Sequence, residues 1–205
     1  MITCILTAAA FFAGCGIKND YTKKQMFRLY ADGNAPAAPG NRATGVPLAV
    51  KRLDISPEFV GSGFVYRVDQ NQFTLDYYNK YMTSPARMIS DVIHEALVNS
   101  PQFAPVPKNQ IPDDIFQLWG KITALYCDRR NASAVSAVVT MALNLDRLNK
   151  DGFTSVLSKT YAAQIPLGKN TSPQAYIQAL NRGLDGIIKD ILSDFKKLRD
   201  PADNQ

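Results

Sequence analysis

Cys15 is the residue whose neighbours point most directly to chemistry. Residues 1–14 carry no charge and end in Phe12-Ala13-Gly14, so small side chains stand directly before a cysteine. A peptidase cutting there must seat small residues before the scissile bond, and the cysteine, freed at its amino end, can then carry acyl chains. This is the lipobox arrangement. An apolar run of about 14 residues is too short for a bilayer core, which takes roughly 20; it fits the apolar region of a signal peptide. No Lys or Arg precedes the run. The competing reading is a buried N-terminal segment with an incidental cysteine. The polar tract after Cys15 favours lipidation.

Other reactive side chains are few and badly placed for catalysis. His94 is the single histidine, and no partner for a triad or metal site is nominated around it, so it reads as a surface residue. Asp113-Asp114 is a carboxylate pair, but it follows Ile111-Pro112 and reads as the cap of a turn. Gly61-Ser62-Gly63 lacks the third glycine and following helix of a dinucleotide site and reads as a turn. Asn131-Ala132-Ser133 and Asn170-Thr171-Ser172 match the glycosylation triplet, which a bacterial lipoprotein would not normally use. Of the three cysteines, Cys4 would leave with the signal and Cys15 would be acylated. Cys127 then remains without a disulfide partner, as a small buried hydrophobe. The expectation is no enzyme, no cofactor and no metal.

Composition sets the frame for these residues. The 205 residues, 46% of them apolar, suit one domain with a substantial core. The net charge of +5 is spread along the chain without a run of five like charges. That favours anionic headgroups or an acidic partner and does not indicate nucleic acid. The chain divides into a signal peptide (1–14), a lipidated N-terminus and flexible tether (15–45), an α+β domain (46–199) and a disordered tail (200–205). The tether reading rests on Ala35-Pro36-Ala37-Ala38-Pro39-Gly40; inside it, Met26-Phe27-Arg28-Leu29-Tyr30 could make a short strand.

Within the domain, Leu48–Ile55 reads as a strand stopped by Ser56-Pro57. Phe64, Tyr66 and Val68 then share one face at period two. Phe73–Tyr78 pairs back across Gln70-Asn71-Gln72 as a hairpin. Ser84 as N-cap and Pro85 at the first position open a helix whose stripe is Ile89, Val92, Ile93, Ala96 and Leu97. The second half repeats the order. Phe116, Leu118, Ile122, Ala124 and Tyr126 alternate with Gln117, Trp119, Lys121, Thr123 and Cys127. Val135 to Leu145 and Phe153–Ile165 follow around an Asp-Gly turn. A last helix carries Ile177, Leu180, Leu184, Ile187, Ile188, Ile191, Phe195 and Leu198 on one side. The expected fold is α+β: a two-layer βββα-βββα domain with both helices on one face of a sheet. Most aromatics of the first hairpin should be core. Tyr66, Tyr77, Tyr78, Tyr81 and, in the second half, Trp119 are the candidates for contact with a lipid or partner.

Arg52-Leu53-Asp54-Ile55-Ser56-Pro57, then Phe64-Val65-Tyr66-Arg67, then Leu75-Asp76-Tyr77-Tyr78-Asn79-Lys80-Tyr81 resemble the ABC-type transport auxiliary lipoproteins, the PqiC-like family. Ser84-Pro85 stands at that family's helix-opening proline, and Tyr81-Met82 where it often has tryptophan. Leu118-Trp119-Gly120 looks like its Leu-x-Gly strand. The resemblance spans about residues 46–198. It implies a non-enzymatic lipoprotein held at the outer membrane and facing the periplasm, a sorting with which Gly16 is consistent. Its partners would be an MCE-type protein and an ABC transporter complex moving phospholipids or another apolar solute. Two alternatives remain: a lipoprotein that binds a lipid in its own cavity, or an activator of a cell-wall synthase.

Overall fold

The computed structural model describes residues 23–31, 46–106 and 112–199. Cys15 and the signal segment lie outside them, as does most of the expected tether. The elements are β1 (Gln25–Phe27), β2 (Val46–Val50), β3 (Asp54–Ile55), β4 (Gly63–Arg67), β5 (Phe73–Tyr81), α1 (Pro85–Val98), β6 (Phe103–Pro105), β7 (Ile115–Asp128), β8 (Ser136–Asn149), β9 (Gly152–Pro166) and α2 (Pro173–Arg199). A 3-10 turn, Pro57–Phe59, lies between β3 and β4.

The sheet is assembled on β7. Along one edge β7 pairs antiparallel with β8, and β8 pairs onward with β9. Along the other edge three short strands lie end to end, all parallel to β7: β2 at Phe116–Leu118, β3 at Lys121–Ile122 and β4 at Cys127–Asp128. Beyond them, β6 pairs with β2, and β5 then β1 extend outward from β4. The fold is α+β, with α2 packed on β8 and β9 and α1 beside it against β2 and β6.

The single strand expected over Leu48–Ile55 is two strands. Lys51 still donates its N–H to Leu118 O at 2.8 Å, but the N–H of Leu53 goes to Ser90 Oγ at 2.9 Å. Ser90 in turn donates to Ala86 O within α1. The chain therefore leaves the ladder at Leu53, whose side chain is buried, and this break ties the sheet to the first helix.

β7 contains a second departure. Its register slips between Ile122 and Ala124, and a bulge of this kind exchanges the faces of the residues beyond it. Leu118, Ile122, Leu125 and Cys127 are consequently the buried residues, while Ala124 and Tyr126 turn to the outer face. The expected alternation holds up to Ile122 and inverts after it. Gly120, on the buried side, lets β7 approach β8: a Cβ there would run into the Ala142 carbonyl and the Leu143 side chain.

Both helices bury the stripes read from their spacing, except that Ala96 is half-buried and Leu198 stays 41% exposed. Ser84 occupies the N-cap of α1 without a side-chain bond; its carbonyl accepts the Met88 N–H at 3.1 Å. Ser172 caps α2 through its hydroxyl, which accepts the Ala175 N–H at 3.3 Å.

The folded body begins before residue 46, where composition places it. β1 adds parallel to β5, Met82 donates to Phe27 O at 2.9 Å, and Tyr30 donates its N–H to Asn181 Oδ1 at 3.2 Å. Phe27, Leu29 and Ala31 are buried in the common core. Phe64 lies 5.2 Å from Phe27, 4.8 Å from Tyr81 and 5.2 Å from Tyr176, ring centre to ring centre, so the N-terminal segment reaches the middle of the molecule. Replacing Leu29, 2% exposed, by alanine should lower the unfolding free energy by about 3 kcal/mol, measured by urea denaturation. A spacer residue would show no change.

Candidate functional site

The most distinctive local geometry lies in β5. Gly63 pairs with Lys80 and Val65 with Leu75, so two steps along β4 correspond to five along β5. Residues 76–79 are thereby left without partners on β4, as a bulge carrying Tyr77 and Tyr78. Asp76 organises it. Its Oδ1 accepts the N–H groups of Tyr78 (2.8 Å) and Asn79 (2.9 Å), and its Oδ2 accepts from Asn79 Nδ2 and the Tyr66 hydroxyl (both 2.7 Å). Gly63 makes the close approach possible, because a Cβ there would sit 2.8 Å from the Asp76 carbonyl oxygen.

Burial alone would raise the Asp76 pKa, but the bonds from Asn79, Tyr66 and Tyr78 outweigh it and hold the carboxyl below its usual range. Tyr66 moves the opposite way: burial first, then its bond to Asp76, push the phenol well up. The Arg129 guanidinium lies 3.9 Å from the centre of the Tyr66 ring. Tyr66 is thus a buttress under the bulge, 7% exposed, and not a contact residue.

Above this base the two tyrosines stand in solvent. Tyr77 is 62% and Tyr78 43% exposed, with their rings 5.3 Å apart edge to face. Lys24 Nζ lies 4.3 Å and Lys80 Nζ 5.4 Å from the Tyr77 ring centre. A hydrogen bond from Lys24 and its charge lower the Tyr77 pKa. Phe73 and Leu75 precede the bulge as further exposed apolar residues.

The five sequence candidates therefore separate. Tyr77 and Tyr78 form one exposed pair. Tyr66 supports them from below. Tyr81 is core: 3% exposed, its hydroxyl 3.1 Å from that of Tyr176. Trp119 is exposed elsewhere, donating Nε1–H to Asp146 Oδ2 at 2.6 Å beside Phe153, Lys51 and Arg52 in a shallow pocket of about 440 Å³. It lies eight residues along β7 from Cys127, the partner of Tyr66, or about 25 Å at the strand rise. From sequence, Gly63 reads only as part of a turn and Asp76 and Lys80 only as part of the Leu75–Tyr81 run; neither they nor Lys24 are among the site candidates. An Asp inside a strand-like run with Asn three residues later was the available signal, since Asp disfavours strands and caps local turns.

The remaining reactive residues serve the fold. His94 is exposed and Cys127 fully buried. Asp114 makes a two-bond pair with Arg147, at 2.8 and 2.6 Å, and Asp113 lies 3.4 Å from Lys150. Both carboxylates tie the start of β7 to the end of β8 and the turn beyond it, and among the described residues neither caps a turn as expected. Asn131 and Asn170 accept the N–H two residues ahead, which makes both triplets Asx turns.

With this geometry in place, comparison with known proteins shows likeness of fold. No family model matches the chain, and no curated protein does. A crystal structure of an uncharacterized protein, 12% identical, superposes with a TM-score of 0.65 over 84% of this chain and 98% of that one. The crystal structure of XCC0632 from Xanthomonas campestris, described as a DUF330 protein, is 15% identical with a TM-score of 0.63 over 88% and 98%. The likeness is of fold alone at these identities.

Asp76→Ala should cost about 2 kcal/mol near neutral pH, because it removes a charged acceptor shared by four donors. The low folded pKa means that this stabilisation is present above the ordinary value of 3.8 and lost as pH falls below it. Chemical denaturation of both proteins should show the deficit shrinking towards about pH 3; an unchanged deficit there would contradict the assignment.

Proposed function

We propose that this protein is a lipid-anchored, periplasm-facing docking component of an MCE/ABC-type system at the outer membrane, moving phospholipid or another apolar solute. The observation that carries the reading is the pairing of Gln25–Phe27 with the sheet so soon after Cys15. Cys15 stands ten residues before Gln25, and Gln25 begins a strand hydrogen-bonded into the domain. An acyl anchor at Cys15 would therefore hold the folded body itself close to a bilayer.

Two further features support it. The fold is that of a DUF330 structure, and the sequence resemblance is to auxiliary lipoproteins of transport systems. Among the described residues, the carboxylates with displaced ionisation, Asp76, Asp114, Asp128 and Asp194, are all held ionised by structural partners. None is poised at a pKa suited to proton transfer, and the reading assigns the domain no catalytic step.

A second reading, lipid binding by the domain itself, draws on one cleft. Leu29, Tyr30, Met82, Met88 and Val92, with Arg28 and Arg87, line a space of about 590 Å³ between the N-terminal segment and α1, a size that suits part of a lipid. Native mass spectrometry separates the two: a bare protein mass opposes it.

Cys15→Ala should move the protein from the membrane to the soluble periplasmic fraction with its fold intact by circular dichroism. Crosslinking of the unaltered chain in cells should capture an MCE-type protein or its permease. Membrane retention of Cys15→Ala would remove the anchor, and capture of no envelope transport component would remove the docking role.

A further inference from the structure

The strand that joins the anchor to the domain also fixes where the anchor leaves it. β1 runs parallel to β5 with Gln25 beside Asn79, so the chain departs the sheet through Lys24 and Lys23 at the Tyr77–Tyr78 bulge. The contact between Lys24 and the Tyr77 ring, 4.3 Å, marks the exit. From Gln25 back to Cys15 is ten residues, a reach of at most about 35 Å when fully extended. If Cys15 is acylated, as the proposed function holds, this edge is where the tether from the bilayer joins the domain.

The surface there has the chemistry of a bilayer interface. Tyr77, Tyr78 and Met26 expose 62%, 43% and 68% of their surface, and Lys24 and Lys80 lie against the Tyr77 ring. Tyrosines settle at headgroup depth, where ring and hydroxyl meet different surroundings, and lysines there attract anionic headgroups. The Asp76 carboxylate beneath them is half-buried and occupied by four donors. We propose that the Asp76 bulge, with Tyr77, Tyr78, Met26, Lys24 and Lys80, is a membrane-interface surface that seats the domain on an anionic bilayer beside its own anchor. It rests on the anchor reading for its geometry, and its lipid contact can be measured with and without that anchor.

Trp119 is the chain's single tryptophan and lies far from the bulge, so it serves as a built-in control. The full chain carrying Trp119→Phe and Tyr77→Trp places one fluorophore in the bulge at an exposed position. In the acylated protein, on vesicles of phosphatidylethanolamine and phosphatidylglycerol with brominated acyl chains, the tryptophan at this position should lose most of its emission. Trp119 of the unsubstituted chain should keep its own. Adding Lys24→Glu and Lys80→Glu should restore the emission. In a Cys15→Ala background at high vesicle concentration the same quenching should appear more weakly and vanish with added salt.

A protein that floats with the vesicles while its bulge tryptophan stays bright and accessible to aqueous iodide would overturn the inference, leave the anchor standing and assign the bulge to a protein partner. A chain that does not float through Cys15 but is quenched in the Cys15→Ala background would remove the anchor and keep the surface. Absence of quenching in both backgrounds overturns it outright.

Discussion

Everything in this fold depends on β7 finding hydrogen-bond partners along both edges of 14 residues. One long neighbour, β8, satisfies the first edge. No single long neighbour satisfies the second; β2, β3 and β4 divide it among them, each parallel and each brief. Buried backbone groups left unpaired are costly, so the chain between these strands is constrained wherever it leaves β7. At Leu53 the constraint is met by Ser90 of α1. After β3, Ser56 donates to Ile122 O, and the 3-10 turn then carries the chain to β4.

That piecewise edge explains the functional surface. β4 meets β7 through only two residues, so β5, which lies outside β4, is freed from the long register that governs β8 and β9. It can absorb extra residues, and it does so at Asp76. The bulge is a fixed conformation, because Asp76 supplies the acceptors that the interrupted ladder cannot. Two exposed tyrosines and their lysines thus stand on a half-buried carboxylate, a buried phenol and a glycine.

Where periodicity is regular, sequence was sufficient to read the fold. The alternation from Val135 to Leu145 and the stripes of both helices correspond closely to the buried faces. It failed where one residue changed the phase. The slip at Thr123 exchanged Ala124 and Tyr126 for Leu125 and Cys127, and no composition cue marks a bulge inside an apolar run. β1 is three residues long and sits in a polar, lysine-rich stretch, so its membership of the sheet depends on Phe27 meeting Phe64 and Tyr30 bonding Asn181 of α2 across the chain. The aromatic candidates divided for a related reason: Tyr66 and Tyr81 look like Tyr77 and Tyr78 in sequence, and only the register around the bulge decides which face inward.

Gln25–Phe27, ten residues after Cys15, belong to the folded sheet. Amide hydrogen exchange of the full chain reports on this directly. The N–H of Tyr30, bonded to Asn181, and that of Met82, bonded to Phe27, should exchange orders of magnitude more slowly than in an unstructured peptide. Tyr30 exchanging at unstructured rates while the β7 and β8 amides stay protected would show a free tether, and the account would be wrong.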